Sequence, residues 1–97
     1  MKKFSYKFFE GQNLLAIADK EILGKTFKSK EVYIDISKNF YHQGFCDEKT
    51  LVNLIKKSSI VNAMGKNCIK FLIENKLVDK ENVIKPCGVP HAQIITF

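Results

Sequence analysis

The spacing of apolar residues changes along this chain, and the changes predict the order of its elements. In the first half the clearest signal is residues 31–36, where strict alternation places Val32, Ile34 and Ile36 on one face of a strand, toward the core. Aromatic and apolar residues in three other short runs favour strands as well. The predicted strands of this half are residues 3–9, 14–18, 26–28 and 31–36, with a hairpin turn at 10–13 and a short helical turn at 20–23.

The second half contains two runs with helical spacing. One helix is predicted at residues 47–57, because Asp47 is a good N-cap residue and an apolar stripe follows it. A second helix is predicted at residues 66–76 for the same kind of stripe. The two stripes consist of Leu51, Leu54 and Ile55 in the first helix and Ile69, Leu72 and Ile73 in the second. Together with Ile34 they make up the predicted core.

The remaining segments complete the predicted order. Residues 37–46 are predicted to be a turn-rich connector, and residues 58–65 fit either a short strand or a loop. Two closing strands are predicted at 83–85 and 92–97, with a turn between them. Strands, then two helices, then strands indicate one α+β domain over residues 1–97. We expect a mainly antiparallel sheet with two main helices packed on one face.

Charge is distributed unevenly along the chain. The 97 residues carry a net charge of +6, and all 16 basic residues are lysine. Residues 1–48 hold eight lysines against seven acids, whereas residues 49–97 hold eight against three. Lysine suits contact with phosphate, while arginine suits base-specific recognition. The pattern therefore predicts RNA-backbone contacts, unless these lysines form only a solvated face. The candidate residues are Lys49, Lys56, Lys57, Lys66 and Lys70, with Lys25 as an additional one.

Other features narrow the class of protein. No apolar run reaches the roughly 18 residues that a membrane span needs. The basic start at Met1-Lys2-Lys3 is not followed by a signal-peptide pattern, so we expect a cytoplasmic protein with no membrane partner. Cys46, Cys68 and Cys87 lack paired spacing, which predicts reduced thiols and no structural zinc. No cofactor is expected.

Two motifs that contain glycine are candidate phosphate-binding sites. Gly24-Lys25-Thr26 resembles the end of a P-loop, but Asp19 stands where the first P-loop glycine belongs, and a strand is predicted to follow. We therefore expect Gly24 to end a turn and Asp19 to cap it. Gly65 precedes the second helix, where free amides and Lys66 would bind a phosphate; a tight entry turn is the alternative.

The sequence Gly88-Val89-Pro90-His91-Ala92-Gln93 is the most unusual local string. On a strand that begins at Pro90, the side chains of His91 and Gln93 share one face. Histidine near neutral pH serves as an acid, a base or a ligand. Because no carboxylate or serine is adjacent, we assign no catalytic residue here, and a hydrogen-bonded turn histidine is the alternative.

Taken in order, these strings resemble the archaeal family known as domain of unknown function 424. The resemblance spans nearly the whole chain and implies a small cytosolic protein with no assigned activity, associated with information processing around translation. The chain departs from the expected pattern after Phe40-Tyr41, where His42 and Gln43 precede Gly44. The residues that carry the resemblance are Asp19, Leu23-Gly24-Lys25, Phe27, Phe40-Tyr41, Gly44, Asn62, Gly65 and Gly88-Val89-Pro90-His91-Ala92-Gln93.

Three functions fit these observations. The first is an accessory protein that binds RNA or a ribonucleoprotein through lysines, with polar contacts from Asn62, His91 and Gln93. The second is a protein-interaction module that uses exposed aromatic side chains. The third is an enzyme with a small pocket, although the sequence does not favour catalysis. The aromatic candidates are Phe40, Tyr41 and Phe45, and the enzyme candidates are His91, Asp19, Asn62 and Tyr41.

Overall fold

The computed structural model describes residues 2–95, which form two sheets and three α-helices. The strands are β1 (Phe4–Phe9), β2 (Leu14–Asp19), β3 (Thr26–Lys28), β4 (Tyr33–Asp35), β5 (Gly44–Cys46), β6 (Ile60–Met64) and β7 (His91–Ile95). The helices are α1 (Lys38–Tyr41), α2 (Glu48–Lys56) and α3 (Lys66–Glu74), and 3-10 turns occur at Lys20–Ile22, Lys80–Asn82 and Pro86–Gly88.

Five strands form the main sheet in the order β5-β1-β2-β6-β7. Only the pair β2–β6 is parallel, with Leu15 opposite Val61 and Ile17 opposite Ala63. The pairs β1–β2, β1–β5 and β6–β7 are antiparallel. Strands β3 and β4 form a separate two-stranded hairpin. This arrangement confirms the predicted α+β class with a mainly antiparallel sheet.

One face of the main sheet is covered by α2 and α3. Alternate residues of β2, Leu15 and Ile17, contact this helical layer, whose buried members include Leu51 of α2 and Leu72 of α3. Asp47 begins α2 as predicted, because its Oδ1 atom accepts a hydrogen bond from the Thr50 amide at 2.9 Å. This backbone hydrogen bond is the main cause that lowers the pKa of Asp47.

The opposite face of the sheet is covered by α1, the β3–β4 hairpin and the turn at Pro86–Gly88. Here the intervening residues of β2, Ala16 and Ala18, lie in a second cluster with Ile36, Tyr41 and Val89. Small side chains on β2 allow these short elements to approach the sheet closely. The central strands are therefore buried on both faces. This burial explains why β6 lacks the apolar alternation that would have identified it as a strand.

Four parts of the sequence prediction need correction. The connector at residues 37–46 contains α1 and β5, with Ser37 as the N-cap of α1. Val32 does not face the core but is 42% exposed, because β4 begins only at Tyr33. Residues 83–85 form no strand, only a bridge between Ile84 and His91. The second helix ends at Glu74, and Lys76 follows with a positive φ of 57°.

The predicted core is only partly buried. Leu51, Ile69 and Leu72 are buried as expected. The others are half-buried at the edges of the two clusters: Ile34, Leu54, Ile55 and Ile73. Strands β1, β2 and β6 also supply fully buried side chains that the predicted core omitted, among them Phe4, Leu15, Ile17 and Ala63. Within residues 2–95, no helix is long and apolar enough to cross a bilayer. Thr96 and Phe97, which end the predicted last strand, lie outside the described residues.

Candidate functional site

The carboxylate of Asp19 holds the beginning of α3. Its Oδ2 atom accepts a hydrogen bond from the Asn67 amide at 2.9 Å, and its Oδ1 atom accepts one from the Cys68 amide at 2.8 Å. Asp19 makes no capping bond to its own 3-10 turn, contrary to the prediction. Helix amides at an N-terminus favour an anion, and here the protein supplies that anion itself. These two amides are therefore not available for the phosphate that Gly65 and Lys66 suggested.

Gly65 allows this close approach between β2 and α3. Its φ of 110° is disfavoured for other residues, and a Cβ atom at this position would lie 2.4 Å from the Asp19 Cγ atom. The Gly65 amide donates to the carbonyl of Pro90 at 2.8 Å. Three of the residues that carry the family resemblance thus meet at one junction of β2, α3 and β7, and their contacts there are structural.

Tyr41 and Asn62 also meet, on the face of the sheet opposite α2 and α3. The Tyr41 hydroxyl donates to Asn62 Oδ1 at 3.0 Å. Ser5 Oγ donates to the carbonyl of Tyr41 at 2.8 Å and lies 2.9 Å from His42 Nδ1, so that this nitrogen is the donor to Ser5. Burial, with a smaller contribution from the charge of Cys68, raises the pKa of Tyr41 to about 12. The hydroxyl therefore stays protonated at neutral pH and acts as a buried hydrogen-bond donor.

His91 is held by a main-chain contact. Its Nδ1 atom lies 2.9 Å from the carbonyl of Ala63, and because a carbonyl only accepts, Nδ1 carries a proton and donates. Gln93 is exposed two residues further along β7 and pairs with Asn62 in register. The prediction that His91 and Gln93 share a face is confirmed. Asp19, Asn62 and His91, however, each bond to a different group.

The Gly24-Lys25 motif ends a turn, as expected. Gly24 has a φ of 81°, and its amide donates to the carbonyl of Ile36 at 2.7 Å. Strand β3 begins directly afterwards at Thr26, where a P-loop would need a helix. Lys25 therefore lies in the hairpin layer, on the face of the main sheet opposite α2 and α3.

The aromatic candidates do not form one exposed patch. Tyr41 is buried and Phe40 is half-buried, with the two rings 4.8 Å apart edge to face. Phe45 is 38% exposed and packs against the His42 ring at 4.6 Å. Lys20 also lies over the Phe45 ring, 5.1 Å from its centroid. These rings mainly cover the sheet, and they do not present a continuous docking surface.

Most of the candidate lysines lie on the helical layer. Lys49 and Lys56 are exposed on α2, and Lys66 and Lys70 are exposed on α3. Both helices cover the same face of the sheet. Lys57, just after α2, lies over the Phe8 ring at 4.4 Å from the centroid. These four lysines belong to the acid-free stretch, the residues between Glu48 and Glu74. We call them the helical basic face: Lys49, Lys56, Lys66 and Lys70.

Beside α3 lies a groove that sequence analysis missed. It has a volume of about 370 Å³ and runs between α3 and residues 80–90. Its floor is formed by Ile69, Ile73, Val83 and Pro90. Its rim carries Lys66, Lys70, Lys80, Lys85 and Glu74. We call this feature the lysine-rimmed groove. Lys80 and Lys85 reach it only because the chain after α3 folds back through a 3-10 turn, which no local pattern predicts.

A second group of lysines lies near the beginning of α3. Lys2, Lys3 and Lys20 line a depression of about 580 Å³ together with Glu21 and Asn67. Asn67 Nδ2 donates to Glu21 Oε1 at 3.3 Å. Lys2 and Lys3 lie outside the acid-free stretch, and the sequence analysis did not connect them with α3. Three lysines and one glutamate thus line the depression beside Asn67 in the first turn of α3.

The cysteines are isolated thiols. Cys46 and Cys68 are buried, and Cys87 Sγ donates to the carbonyl of Val32 at 3.5 Å. Burial is the main cause that raises the pKa of Cys46 to about 11, and it raises that of Cys68 well above its ordinary value. Both are therefore protonated, weakly nucleophilic thiols at neutral pH. In the part of the chain that the structure describes, no three metal-ligating side chains gather into a metal site.

Comparison with known proteins agrees with the fold and assigns no activity. Residues 9–97 match the family model described as "Protein of unknown function (DUF424)". A crystal structure of an uncharacterized conserved protein from Methanopyrus kandleri is similar, with a TM-score of 0.78 and 20% sequence identity. The match covers 97% of this chain and 93% of that chain. No curated protein sequence matches this chain.

Proposed function

Because this chain belongs to the DUF424 family, whose description names no activity, we propose a function from its geometry: it binds RNA through the phosphate backbone, without sequence preference. The single observation that carries this proposal is the helical basic face. Four lysines, Lys49, Lys56, Lys66 and Lys70, are exposed on two helices that cover the same face of the sheet. We further propose that the protein acts in the cytoplasm, either free or bound to a ribonucleoprotein.

Electrostatics supports this proposal. Lysines that neutralise phosphates release condensed counterions, and this release provides affinity without base recognition. No arginine is available for bidentate contact with guanine. Lys80 and Lys85 add two further positive charges beside α3. The family resemblance implies an association with translation, and this favours RNA over DNA as the bound polyanion.

An enzymatic function receives less support from the contacts. The carboxylate of Asp19 is occupied by two helix amides, and the hydroxyl of Tyr41 is occupied by Asn62. His91 donates to a main-chain carbonyl, which fixes the position of its ring. These groups stabilise the junctions of the fold. We therefore propose a binding protein and assign no catalytic residue.

The test is a titration of RNA at several salt concentrations with the double variant Lys49→Glu/Lys56→Glu. Both residues lie on α2, outside the lysine-rimmed groove. Losing two phosphate contacts should lower the salt slope by about 1.4–1.8 and weaken binding by about tenfold or more at ~0.1 M salt. A fluorescence-anisotropy titration with a hairpin RNA and with a single-stranded RNA measures both quantities.

The matched control is Lys28→Glu/Lys30→Glu, which makes the same charge change on exposed residues of the β3–β4 hairpin. It should bind RNA almost as well as the unmodified protein, because the hairpin covers the other face of the sheet. Equal losses in both variants would mean that only net charge matters. Absence of binding at low salt would reject RNA as the partner.

A further inference from the structure

The lysine-rimmed groove combines two chemical properties that the helical basic face does not. Its floor is aliphatic, and the side chains of Ile73, Val83 and Pro90 on that floor are only half-buried. Its rim carries four lysines against one glutamate, a net charge of +3. Apolar surface that is partly exposed favours burial against apolar groups, whereas the rim favours anions. An occupant that satisfies both must carry aliphatic side chains next to negative charges.

RNA satisfies only half of this requirement. Unstacked bases are normally held on aromatic rings or arginine planes, and the residues that line the groove include neither. Phosphates placed over the aliphatic floor would lose hydration without gaining a partner. RNA therefore fits the outward side of α2 and α3 better than it fits this groove.

A second copy of the chain is also a poor occupant. Two such grooves facing each other would bring two rims of net charge +3 together, and like charges across an interface are costly. A flat membrane surface does not follow a concave groove. The combination of a concave aliphatic floor and a positive rim is typical of sites that receive an inserted peptide segment, in which apolar anchors alternate with carboxylates.

We propose that the lysine-rimmed groove binds an acidic segment of another protein, with leucine-like anchors on the floor and aspartate or glutamate side chains paired with the rim. The rim lysines come from two segments, Lys66 and Lys70 from α3 and Lys80 and Lys85 from the chain that follows it, so that several carboxylates of the bound segment find a partner. Lys66 and Lys70 belong to both the groove and the helical basic face, but the floor residues, Lys80 and Lys85 lie outside that face, so substitutions there test this proposal separately from RNA binding.

The probe is a fluorescent synthetic peptide of about 14 residues that carries leucines at helical spacing and glutamates elsewhere. Three measurements define the site on the full chain. The rim variant Lys80→Glu/Lys85→Glu should weaken peptide binding by about tenfold or more. The floor variant Ile73→Ser/Val83→Ser should weaken it by a similar factor while leaving RNA affinity within about twofold. Methyl resonances of Ile73 and Val83 should shift when the peptide is added.

Controls separate this site from less specific attraction. The hairpin variant Lys28→Glu/Lys30→Glu should bind the peptide like the unmodified protein, and thermal unfolding verifies that each variant is folded. A peptide in which glutamines replace the glutamates should bind at least about tenfold more weakly. Equal binding of that neutral peptide would overturn the charge argument, and equal binding by the floor variant would overturn the anchor argument. Displacement of the peptide by single-stranded RNA, with shifts of the same methyl resonances, would instead make the groove an RNA site.

Discussion

Asp19 is the last residue of strand β2, and its carboxylate accepts hydrogen bonds from two amides in the first turn of α3. The residues that carry these amides lie forty-eight and forty-nine positions further along the sequence. A local reading of the sequence assigns such a residue to the turn that follows it, because capping patterns are short-range. Only the parallel pairing of β2 with β6 brings Asp19 to α3. The resemblance to a family could identify Asp19 and Gly65 as important positions, yet it could not indicate that they touch.

This contact leads to a prediction about stability at the residue scale. Asp19 is 2% exposed, so Asp19→Asn would place an amide N–H₂ group against one of two backbone donors. We expect a loss of about 2 kcal/mol in the free energy of unfolding, measured by urea denaturation. Gly65→Ala should cost at least about 2 kcal/mol, because it adds both a disfavoured φ and a clash with the carboxylate.

Gly11→Ala provides the control for this prediction. Gly11 lies in the hairpin turn, and a Cβ atom there would have nothing within 4 Å. Its effect should stay within about 0.5 kcal/mol, as for other surface substitutions. If Gly65→Ala were as mild as Gly11→Ala, the close approach between β2 and α3 would not be a constraint on the fold.

At the scale of elements, the sequence predicted helices better than strands. Both main helices carry amphipathic stripes and α2 also has its N-cap Asp47, which are local signals. Both helices lie within two residues of their predicted ends. Strand β6 has no such signal because both of its faces are covered. Helix α1 is only four residues long, and β5 only three, so neither repeats its pattern often enough to be recognised in the sequence.

Leu72 and Leu54 differ in burial, and this difference predicts that their substitutions destabilise the protein to different extents. Both occupy apolar stripes, but Leu72 is fully buried whereas Leu54 is half-buried beside the core. Leu72→Ala should therefore lower the free energy of unfolding by about 2–5 kcal/mol. Leu54→Ala should cost no more than about half as much, because less apolar area leaves water on folding.

Urea denaturation measures both losses. If the slope of the unfolding free energy against urea concentration is the same for both variants, the two values can be compared directly. The ratio of the two losses is the informative quantity, since the reference state of the unfolded chain is common to both variants. Equal losses would show that α2 is packed as deeply as α3, and that the burial difference between these two leucines does not control stability.

At the scale of the whole molecule, both layers that cover the main sheet carry exposed lysines, and composition does not reveal which lysine lies on which layer. The chain as a whole has a net charge of +6, but where it attracts an anionic partner depends on which layer carries each lysine. Sequence analysis predicted exposed lysines on two helices, and Lys49, Lys56, Lys66 and Lys70 are exposed on α2 and α3. It could not place Lys25 on the opposite layer or bring Lys80 and Lys85 beside α3, since both depend on how the chain folds over the sheet.

The layered arrangement predicts a one-sided pattern of protection. If RNA lies on the helical basic face, bound RNA should slow acylation of Lys49, Lys56, Lys66 and Lys70 by an amine-reactive reagent. Lys28 and Lys30 on the hairpin should react at the same rate with and without RNA. Mass spectrometry of peptides from the labelled protein measures the ratio at each position. At high salt the protection should disappear, because counterion release no longer favours the complex. Uniform protection of both layers would mean that RNA coats the protein without a preferred surface.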